Sequence, residues 1–273
     1  MSIQTGTSLN TDIPALRRLW KQAFGDEDAC IDAFFNTAYT PERVLVLRED
    51  GQVRAMACWL PMTVCQASRG WPAGYLYAVS TEASARGRGF CRQLLAFAEE
   101  FLAARGIKVL LLVPGEPSLR QFYRRCGYAD FTTVDMEELR VTAAQGQAEP
   151  ITAPEYLELR EQLLSDRPYV SCPVPVLEFQ DALARLYGGG LVRLSGSGAE
   201  GCACVARDAG GRAVVYELLW PGDRAEGASL AAGLVGAERA LVRAPGSAAP
   251  FAMANWLIKQ PECRPPYLGL ALD

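Results

Sequence analysis

The chain has 273 residues, of which 50% are hydrophobic and 21% are charged, and its formal net charge is −4. This is the composition of a globular protein with one large or two modest domains, and its acidity argues against a general nucleic-acid or anionic-membrane binder. The chain contains no histidine. That absence excludes the commonest general base, the commonest zinc ligand and any Ser–His or Cys–His catalytic pair.

Nine cysteines are scattered along the chain without a CxxC pair. An odd number of cysteines without a signal sequence predicts reduced thiols in a cytoplasmic protein, and we expect no metal site. No apolar run approaches the ~20 residues of a membrane span, so we expect no membrane partner.

The first elements in chain order are two helices and an antiparallel meander. Asp12 can cap the first helix, whose apolar face ends at Gly25. Alternating apolar patterns then predict strands around residues 44–47, 53–65 and 75–81.

After the third of these strands comes a glycine- and arginine-rich turn, Arg86-Gly87-Arg88-Gly89, and then an amphipathic helix. The N-terminus of a helix carries free backbone N–H groups and a partial positive charge, which together bind phosphate. Glycines let a ligand approach the backbone, and the arginines at 86, 88 and 92 complement a polyphosphate. The stretch therefore predicts a site for a diphosphate.

Three fingerprints compete for this turn. The Walker pattern is absent. The dinucleotide pattern needs a third glycine where Arg92 stands and an acid closing the next strand, whereas Glu116 follows a Pro-Gly turn. The pattern Arg/Gln-x-x-Gly-x-Gly/Ala fits Arg86–Cys91 except at its last position, where cysteine replaces glycine or alanine.

A second motif follows in the expected order. An apolar strand at 107–113 leads to a helix that ends in Phe122-Tyr123-Arg124-Arg125-Cys126-Gly127-Tyr128. This tail resembles the signature Tyr-x-x-x-Gly-Phe/Tyr, and the two motifs together resemble the GNAT superfamily of N-acetyltransferases. The resemblance covers roughly the first half of the chain and implies an α/β (α+β) fold with a mixed central sheet flanked by helices.

The resemblance also implies a co-substrate, acetyl-CoA, and a role for each matching residue. Tyr123 matches the general acid that protonates the departing thiolate, although a core tyrosine is the alternative. Glu116 stands where many members have an asparagine, and we expect it to act as an acid/base or amine-binding group. The residues that match the contacts to acetyl-CoA are Val79, Ser80, Thr81, Arg86, Gly87, Arg88, Gly89, Phe90, Cys91 and Arg92. Glu82 and the terminal carboxylate of Asp273 are weaker candidates for a base.

The second half of the chain partly repeats the element order of the first. We predict a GNAT domain over residues 1–142, a linker over 143–154, and an α+β lobe over 155–273 that closes with a strand at 267–272. The loop Pro-Gly-Asp-Arg-Ala-Glu-Gly replaces the arginine–glycine turn in this lobe. A degenerate GNAT-like lobe without cofactor binding and an unrelated α+β domain are both consistent with the pattern.

These features favour an acyl-CoA-dependent N-acetyltransferase. It would transfer an acetyl group to a primary amine of a small molecule, peptide or protein, with no nucleic-acid partner. A non-catalytic acyl-CoA-binding or regulatory module is the first alternative. A nucleotide-dependent oxidoreductase is the second, and it predicts affinity for NAD. The acceptor amine cannot be read from these residues, because fold does not determine substrate.

Overall fold

The structure is a computed structural model that describes residues 2–272. The chain folds into two compact units, each built around one sheet. Unit 1 takes in the chain as far as Thr63, together with Trp71–Ala129 and Met253–Pro261. Unit 2 takes in Val64–Gly70, Asp130–Ala252 and the chain from Glu262 onward. These discontinuous units do not follow the continuous domain boundaries expected from the sequence.

The first part of the chain alternates between strands and helices that build unit 1. Its strands are β1 (Ile3–Thr7), β2 (Val44–Glu49), β3 (Gln52–Gln66), β4 (Arg69–Thr81) and β5 (Val109–Leu112). Its helices are α1 (Ile13–Phe24), α2 (Asp28–Thr37), α3 (Phe90–Ala103) and α4 (Leu119–Arg125). The predicted helices and strands of this half are present, and β1 is an additional edge strand that the sequence pattern did not indicate.

Helix α1 illustrates how the residue pattern determines where a helix is buried and where it ends. Its buried face is Leu16, Leu19 and Trp20, which recur at helical spacing. The helix ends at Gly25, whose φ of 73° is the left-handed conformation that glycine adopts without strain. Asp12 precedes the helix as predicted, but its carboxylate accepts the Leu9 N–H at 2.7 Å.

The remaining elements follow in chain order. The strands are β6 (Ala129–Asp130), β7 (Thr133–Arg140), β8 (Gly146–Pro150), β9 (Tyr169–Ser171), β10 (Gly190–Gly196), β11 (Ala199–Arg207), β12 (Ala213–Leu219), β13 (Arg239–Pro245), β14 (Ala249–Pro250) and β15 (Met253–Trp256). The helices are α5 (Ala153–Leu163), α6 (Val174–Leu186) and α7 (Arg224–Leu234). Strand β8 lies inside the segment predicted as a linker. The strand predicted at 267–272 is wrong, because that segment contributes only a single bridge, at Tyr267.

The two sheets share one topology. The first sheet has the strand order β1-β2-β3-β4-β5-β15-β6, and the second has the order β8-β10-β11-β12-β13-β7-β14. In both, the fourth and fifth strands are parallel, and the sixth is antiparallel to the fifth. A helix, α3 or α7, connects the parallel pair in each unit. The second half therefore forms a second lobe with the same architecture, which agrees with the first of the two alternatives that the sequence left open.

Each unit completes its sheet with a strand that is distant in sequence. Strand β15 pairs with β5 through Met253↔Leu112 to Trp256↔Val109 and belongs to unit 1. Strand β7 pairs with β13 and belongs to unit 2. Strand β7, which follows α4 and β6 in the chain, therefore completes the second sheet.

The apolar cores of the units lie between sheet and helices. In unit 1, Leu94 and Ala98 of α3 pack on Leu45 and Leu47 of β2. Within residues 2–272 the nine cysteines form no disulfide, and no helix has the length and apolarity that a membrane span requires.

Candidate active site

The predicted diphosphate turn is solvent-exposed at the N-terminus of α3. Residues Arg86 to Gly89 are all exposed, and both glycines adopt positive φ, 75° at Gly87 and 80° at Gly89. A Cβ at Gly87 would meet no atom within 4 Å, so open space lies in front of the backbone there. The first helical hydrogen bond runs from the Gln93 N–H to the Gly89 carbonyl at 3.0 Å. The amides that precede it have the orientation that binds an anion.

The three arginines of the turn differ in what they contact. The Arg88 guanidinium pairs with the Glu49 carboxylate, with one hydrogen bond of 3.1 Å and a second to the other oxygen. Arg86 Nε donates to the Thr81 carbonyl at 3.2 Å. Arg92 is exposed on the first turn of α3. Glu49 therefore neutralises much of the charge that Arg88 was expected to offer a phosphate.

Glu49 and Arg54 hold the turn against the end of the β2–β3 hairpin. Arg54 pairs with Glu82, and its Nε lies 3.5 Å from Glu49 Oε2. The Glu82 N–H donates to the Arg54 carbonyl at 2.8 Å. The Arg88 guanidinium lowers the pKa of Glu49, so this carboxyl is charged at neutral pH. Glu82, a weak candidate for a base, is thus part of an ion-pair network.

Strands β4 and β5 form a fork. Their parallel pairing covers Ala73–Tyr75 against Val109–Leu111, whereas β4 continues to Thr81. Within β4, Ala78 has a φ of 48°, an uncommon conformation for a side chain-bearing residue that interrupts the extended strand. Near the free end of β4, the Ser80 and Thr81 hydroxyl oxygens are buried without a hydrogen-bond partner in the described chain. Residues 79–81 thus lie at the open end of the fork, where the two hydroxyl groups remain available for hydrogen bonds.

Tyr123 lies on α4 and is 7% exposed. Its ring packs edge-on against Phe122 and Tyr128, with centroids 5.3 and 5.8 Å away, in a cluster that also includes Cys91 and Cys126. Burial raises the pKa of Tyr123, so the phenol is protonated at neutral pH. Burial also raises the pKa of Cys91 to about 12, which leaves the thiol protonated and unreactive. The phenol and the first turn of α3 therefore belong to one cluster.

One residue of β15, Asn255, contacts both α3 and the turn after α4, and no sequence pattern indicated this. Asn255 Nδ2 donates to Glu99 Oε1 of α3 at 2.9 Å. A Cβ at Gly127 would lie 3.3 Å from Asn255 Nδ2, and Gly127 has a φ of 90°. The glycine of the second signature thus allows both the left-handed turn after α4 and the close approach of Asn255. No local pattern could have linked residue 255 to residue 127.

Glu116 occupies the loop between β5 and α4. It is exposed, and its carboxylate accepts a hydrogen bond from Ser118 Oγ at 3.1 Å. Asp273, whose terminal carboxylate was a weaker candidate for a base, lies outside the described residues. Among residues 2–272, no group of three or more metal-ligating side chains comes together.

The fold thus has an exposed glycine turn between a parallel-strand fork and the start of a helix. Residues 7–130 match the family described as an acetyltransferase (GNAT) domain. This segment, a little under half of the chain, contains the turn, the fork and Tyr123. No curated protein matches the chain by sequence.

Solved structures of similar fold extend over both units. A GCN5-related N-acetyltransferase from Anabaena variabilis is 15% identical, with a TM-score of 0.71 over 94% of this chain and 73% of that one. Eis1 from Mycobacterium abscessus is 12% identical, with a TM-score of 0.62 over 94% and 74%. A GCN5-related N-acetyltransferase from Sphaerobacter thermophilus is 12% identical, with a TM-score of 0.54 over 98% of each chain. At these identities the likeness establishes the fold.

Proposed function

We propose that the chain is an acyl-CoA-dependent N-acetyltransferase that moves an acetyl group from acetyl-CoA to a primary amine of a small molecule, peptide or protein. The observation that carries the proposal is the exposed turn Gly87–Gly89, which follows the free end of β4 and opens α3. Its amides bind the diphosphate, assisted by Arg92. Phe90 and Cys91 contribute amides of the first helical turn.

The fork provides the next part of the site. In this proposal the backbone of Val79, Ser80 and Thr81 binds the pantetheine arm and the acyl carbonyl, because strand edges offer alternating N–H and C=O groups. An N–H donor directed at the carbonyl stabilises the negative charge that develops on it during attack. Holding thioester and amine together supplies much of the rate enhancement by proximity.

The reaction balances with few protein groups. The neutral amine attacks the thioester carbonyl carbon, so that a C–N bond forms and the C–S bond breaks, with the electron pair leaving on sulfur. Tyr123 donates its proton to that sulfur and regains one from solvent. Water accepts the surplus proton of the amine nitrogen. Burial raises the pKa of Tyr123, so the phenol carries a proton at neutral pH and is at the same time a weaker acid than an exposed tyrosine.

One observation favours the alternative of a non-catalytic acyl-CoA-binding module. Two of the three carboxylates considered as bases already have partners, Glu82 with Arg54 and Glu116 with Ser118. A chain that binds acyl-CoA without deprotonating an amine would show this pattern too. A measurement of catalytic turnover distinguishes the N-acetyltransferase from the binding module.

The test is release of free CoA from acetyl-CoA in the presence of polyamines, aminoglycosides and peptides. We expect at least one amine to accelerate release, and Tyr123→Phe to lower kcat by about 100-fold, as removal of a general acid does. Tyr128→Phe is the matched control, because the Tyr128 hydroxyl is buried without a partner in the described chain. Tight CoA binding with no accelerating amine supports the binding module. Stabilisation by NAD and not by CoA in thermal unfolding contradicts both.

A further inference from the structure

The last described segment of the chain, residues 266–272, is buried in unit 2 although it adds no strand to a sheet. All of its residues are buried, and only Tyr267 forms a bridge, with Tyr169 of β9. The segment reads Pro-Tyr-Leu-Gly-Leu-Ala-Leu and contains no charged side chain. We call it the tail. Because buried backbone groups need hydrogen-bond partners, other parts of unit 2 must supply them.

The tail lies against the opening between β12 and β13, which is the fork of unit 2. The parallel pairing of these strands covers Ala213–Val215 against Ala240–Val242. Beyond this pairing, Glu217 of β12 and Arg243 of β13 are both buried. Arg243 Nη1 donates to the Gly269 carbonyl at 2.8 Å, and a Cβ at Gly269 would lie 2.6 Å from Glu217 Oε1. The tail backbone therefore lies beside one side chain from each strand of the fork.

The two ends of the tail are held by β9 and α6. The Tyr267 N–H donates to the Pro168 carbonyl at 2.9 Å, and the Val170 N–H donates to the Tyr267 carbonyl at 2.8 Å. Gln180 Oε1, on α6, accepts the Leu272 N–H at 3.1 Å. Together with the guanidinium of β13, these groups bind backbone atoms at the start, middle and end of the tail. Main-chain hydrogen bonds of this kind give a peptide affinity for a groove.

Glu217 makes the middle of this groove selective for glycine. Its carboxylate is fully buried and accepts hydrogen bonds from Arg160 and Tyr156. Moving it aside for a side chain at Gly269 would break the bonds of a buried charge. A Cβ there would also meet the Tyr267 hydroxyl. Burial and the Glu217 carboxylate raise the pKa of Tyr267, so this phenol is uncharged beside the carboxylate.

The sheet of unit 2 is built without the tail. Strand β12 pairs with β11 and β13, and β13 pairs with β12 and β7. Among the described residues, the tail contributes no strand to this sheet, and its bridge is to β9. Departure of the tail therefore breaks no ladder of the sheet, and the groove between the strands persists.

We propose that the fork of unit 2 is a peptide-binding groove and that its ligand is the tail, held within the same chain as an exchangeable peptide. The groove takes an uncharged peptide that has a tyrosine and, two residues later, a glycine. Bonds to the peptide backbone supply affinity, and the fixed Glu217 carboxylate supplies the selection for glycine. Covalent attachment keeps the local concentration of the tail high, so in the intact chain it excludes peptides from solution. This site goes beyond the proposed function and does not require unit 1 to bind CoA.

The test cuts this covalent attachment in the folded full chain. A protease recognition sequence is inserted between Glu262 and Cys263, where the chain has no helix or strand, and cleavage follows folding. Fluorescence anisotropy then measures uptake of a labelled peptide of residues 264–273. We expect it to replace the tail at one peptide per cut chain, and the Gly269→Ala peptide to bind at least tenfold more weakly. The Pro265→Ala peptide is the matched control, because Pro265 is exposed, and it retains affinity. No uptake by the cut chain, or equal binding of the Gly269→Ala peptide, overturns the proposal.

Hydrogen exchange in the uncut chain keeps the proposal falsifiable if the cut chain does not stay folded. Relative to their intrinsic rates, we expect the tail amides to exchange at least tenfold faster than those of β10 and β11, because the tail leaves while the sheet stays folded. Gly269→Ala increases the tail rate at least tenfold further. Gly233→Ala is the matched control, since a Cβ there would meet no atom within 4 Å, and it leaves the tail rate unchanged. Equal protection of the tail and the sheet would show that the tail leaves only in global unfolding, and that result, like a tail rate that Gly269→Ala does not change, overturns the proposal.

Discussion

The two units contain the same fork and differ at the helix that follows it. In unit 1 the fork of β4 and β5 leads to an exposed turn with two glycines, and α3 begins without a side-chain cap. In unit 2 the fork of β12 and β13 leads to Trp220, and Asp223 caps α7. The same strand order therefore occurs with two different helix starts, one uncapped and one capped by a carboxylate. We infer that the side chains at the helix start decide whether phosphate can bind.

The forks also differ in how their strands are supported. Glu217 of β12, two residues past the end of the parallel pairing, is fully buried and bonds to Arg160 at 2.7 and 3.1 Å and to the Tyr156 hydroxyl at 3.0 Å. In unit 1 the corresponding end of β4 has hydroxyls without partners in the described chain. We infer that unit 2 stabilises its fork with an internal charge network, whereas unit 1 leaves groups for a ligand.

The largest expected effect tests this internal network. Arg160→Met leaves the Glu217 charge buried and unpaired, which costs about 3–5 kcal/mol of unfolding free energy. The control is Arg193→Met, which breaks an exposed pair with Glu200 and costs less than ~1 kcal/mol. Urea unfolding measures both changes. A loss below ~1 kcal/mol in Arg160→Met would contradict the distinction between the two forks.

The next prediction tests the glycine turn of unit 1. Gly87 and Gly25 have nearly the same positive φ, 75° and 73°, and a Cβ at either would meet nothing within 4 Å. Valine therefore costs similar stability at both positions. Only Gly87→Val places methyl groups in front of the amides, and we expect CoA affinity to fall about 100-fold, equivalent to losing about two charge-assisted hydrogen bonds. Calorimetry measures the Kd for CoA in the two variants. Equal losses of CoA affinity would refute the assignment of the Gly87–Gly89 turn to the diphosphate.

Local sequence patterns predicted most helices and strands of unit 1 and the exposed turn between β4 and α3. The apolar periodicities placed α1, α3 and β5, and glycine spacing identified the turn, because these features depend on neighbours in sequence. The pattern also indicated the repeated lobe. It could not indicate that Arg88 pairs with Glu49, since their side chains meet only in the folded unit.

Long-range strand placement was not predictable in the same way. Strand β15 completes the sheet of unit 1 although it follows the rest of that sheet by more than a hundred residues. Its segment has ordinary strand-forming residues, and nothing in them selects β5 as the partner. The same holds for Asn255, whose contact with Gly127 depends entirely on that pairing.

A smaller effect concerns the thiol beside Tyr123. Burial raises the pKa of Cys91 to about 12 from an unfolded value near ~8.5. The folded state therefore retains a proton that the unfolded state loses, so stability is full below pH ~8.5 and falls as pH rises towards 12. Between pH 8 and 10 the wild type therefore loses unfolding free energy, and we expect Cys91→Ala to reduce that loss by about 1–2 kcal/mol. Cys30→Ala on α2 is the control, and identical pH profiles for both variants would exclude this linkage.

The smallest effect separates the arginines of the turn. Arg92 is exposed at the first turn of α3, whereas Arg88 is paired with Glu49. We expect Arg92→Met to weaken CoA binding about threefold and to flatten its salt dependence, because an exposed cation attracts phosphate through solvent. The double variant Arg88→Met/Glu49→Gln removes the cation together with the carboxylate that neutralises it, so any loss of affinity comes from a less ordered turn and leaves the salt dependence unchanged. Measurements of Kd from low to high salt distinguish Arg92→Met from this double variant, and an equally flattened slope in the double variant would make Arg88 a direct phosphate ligand.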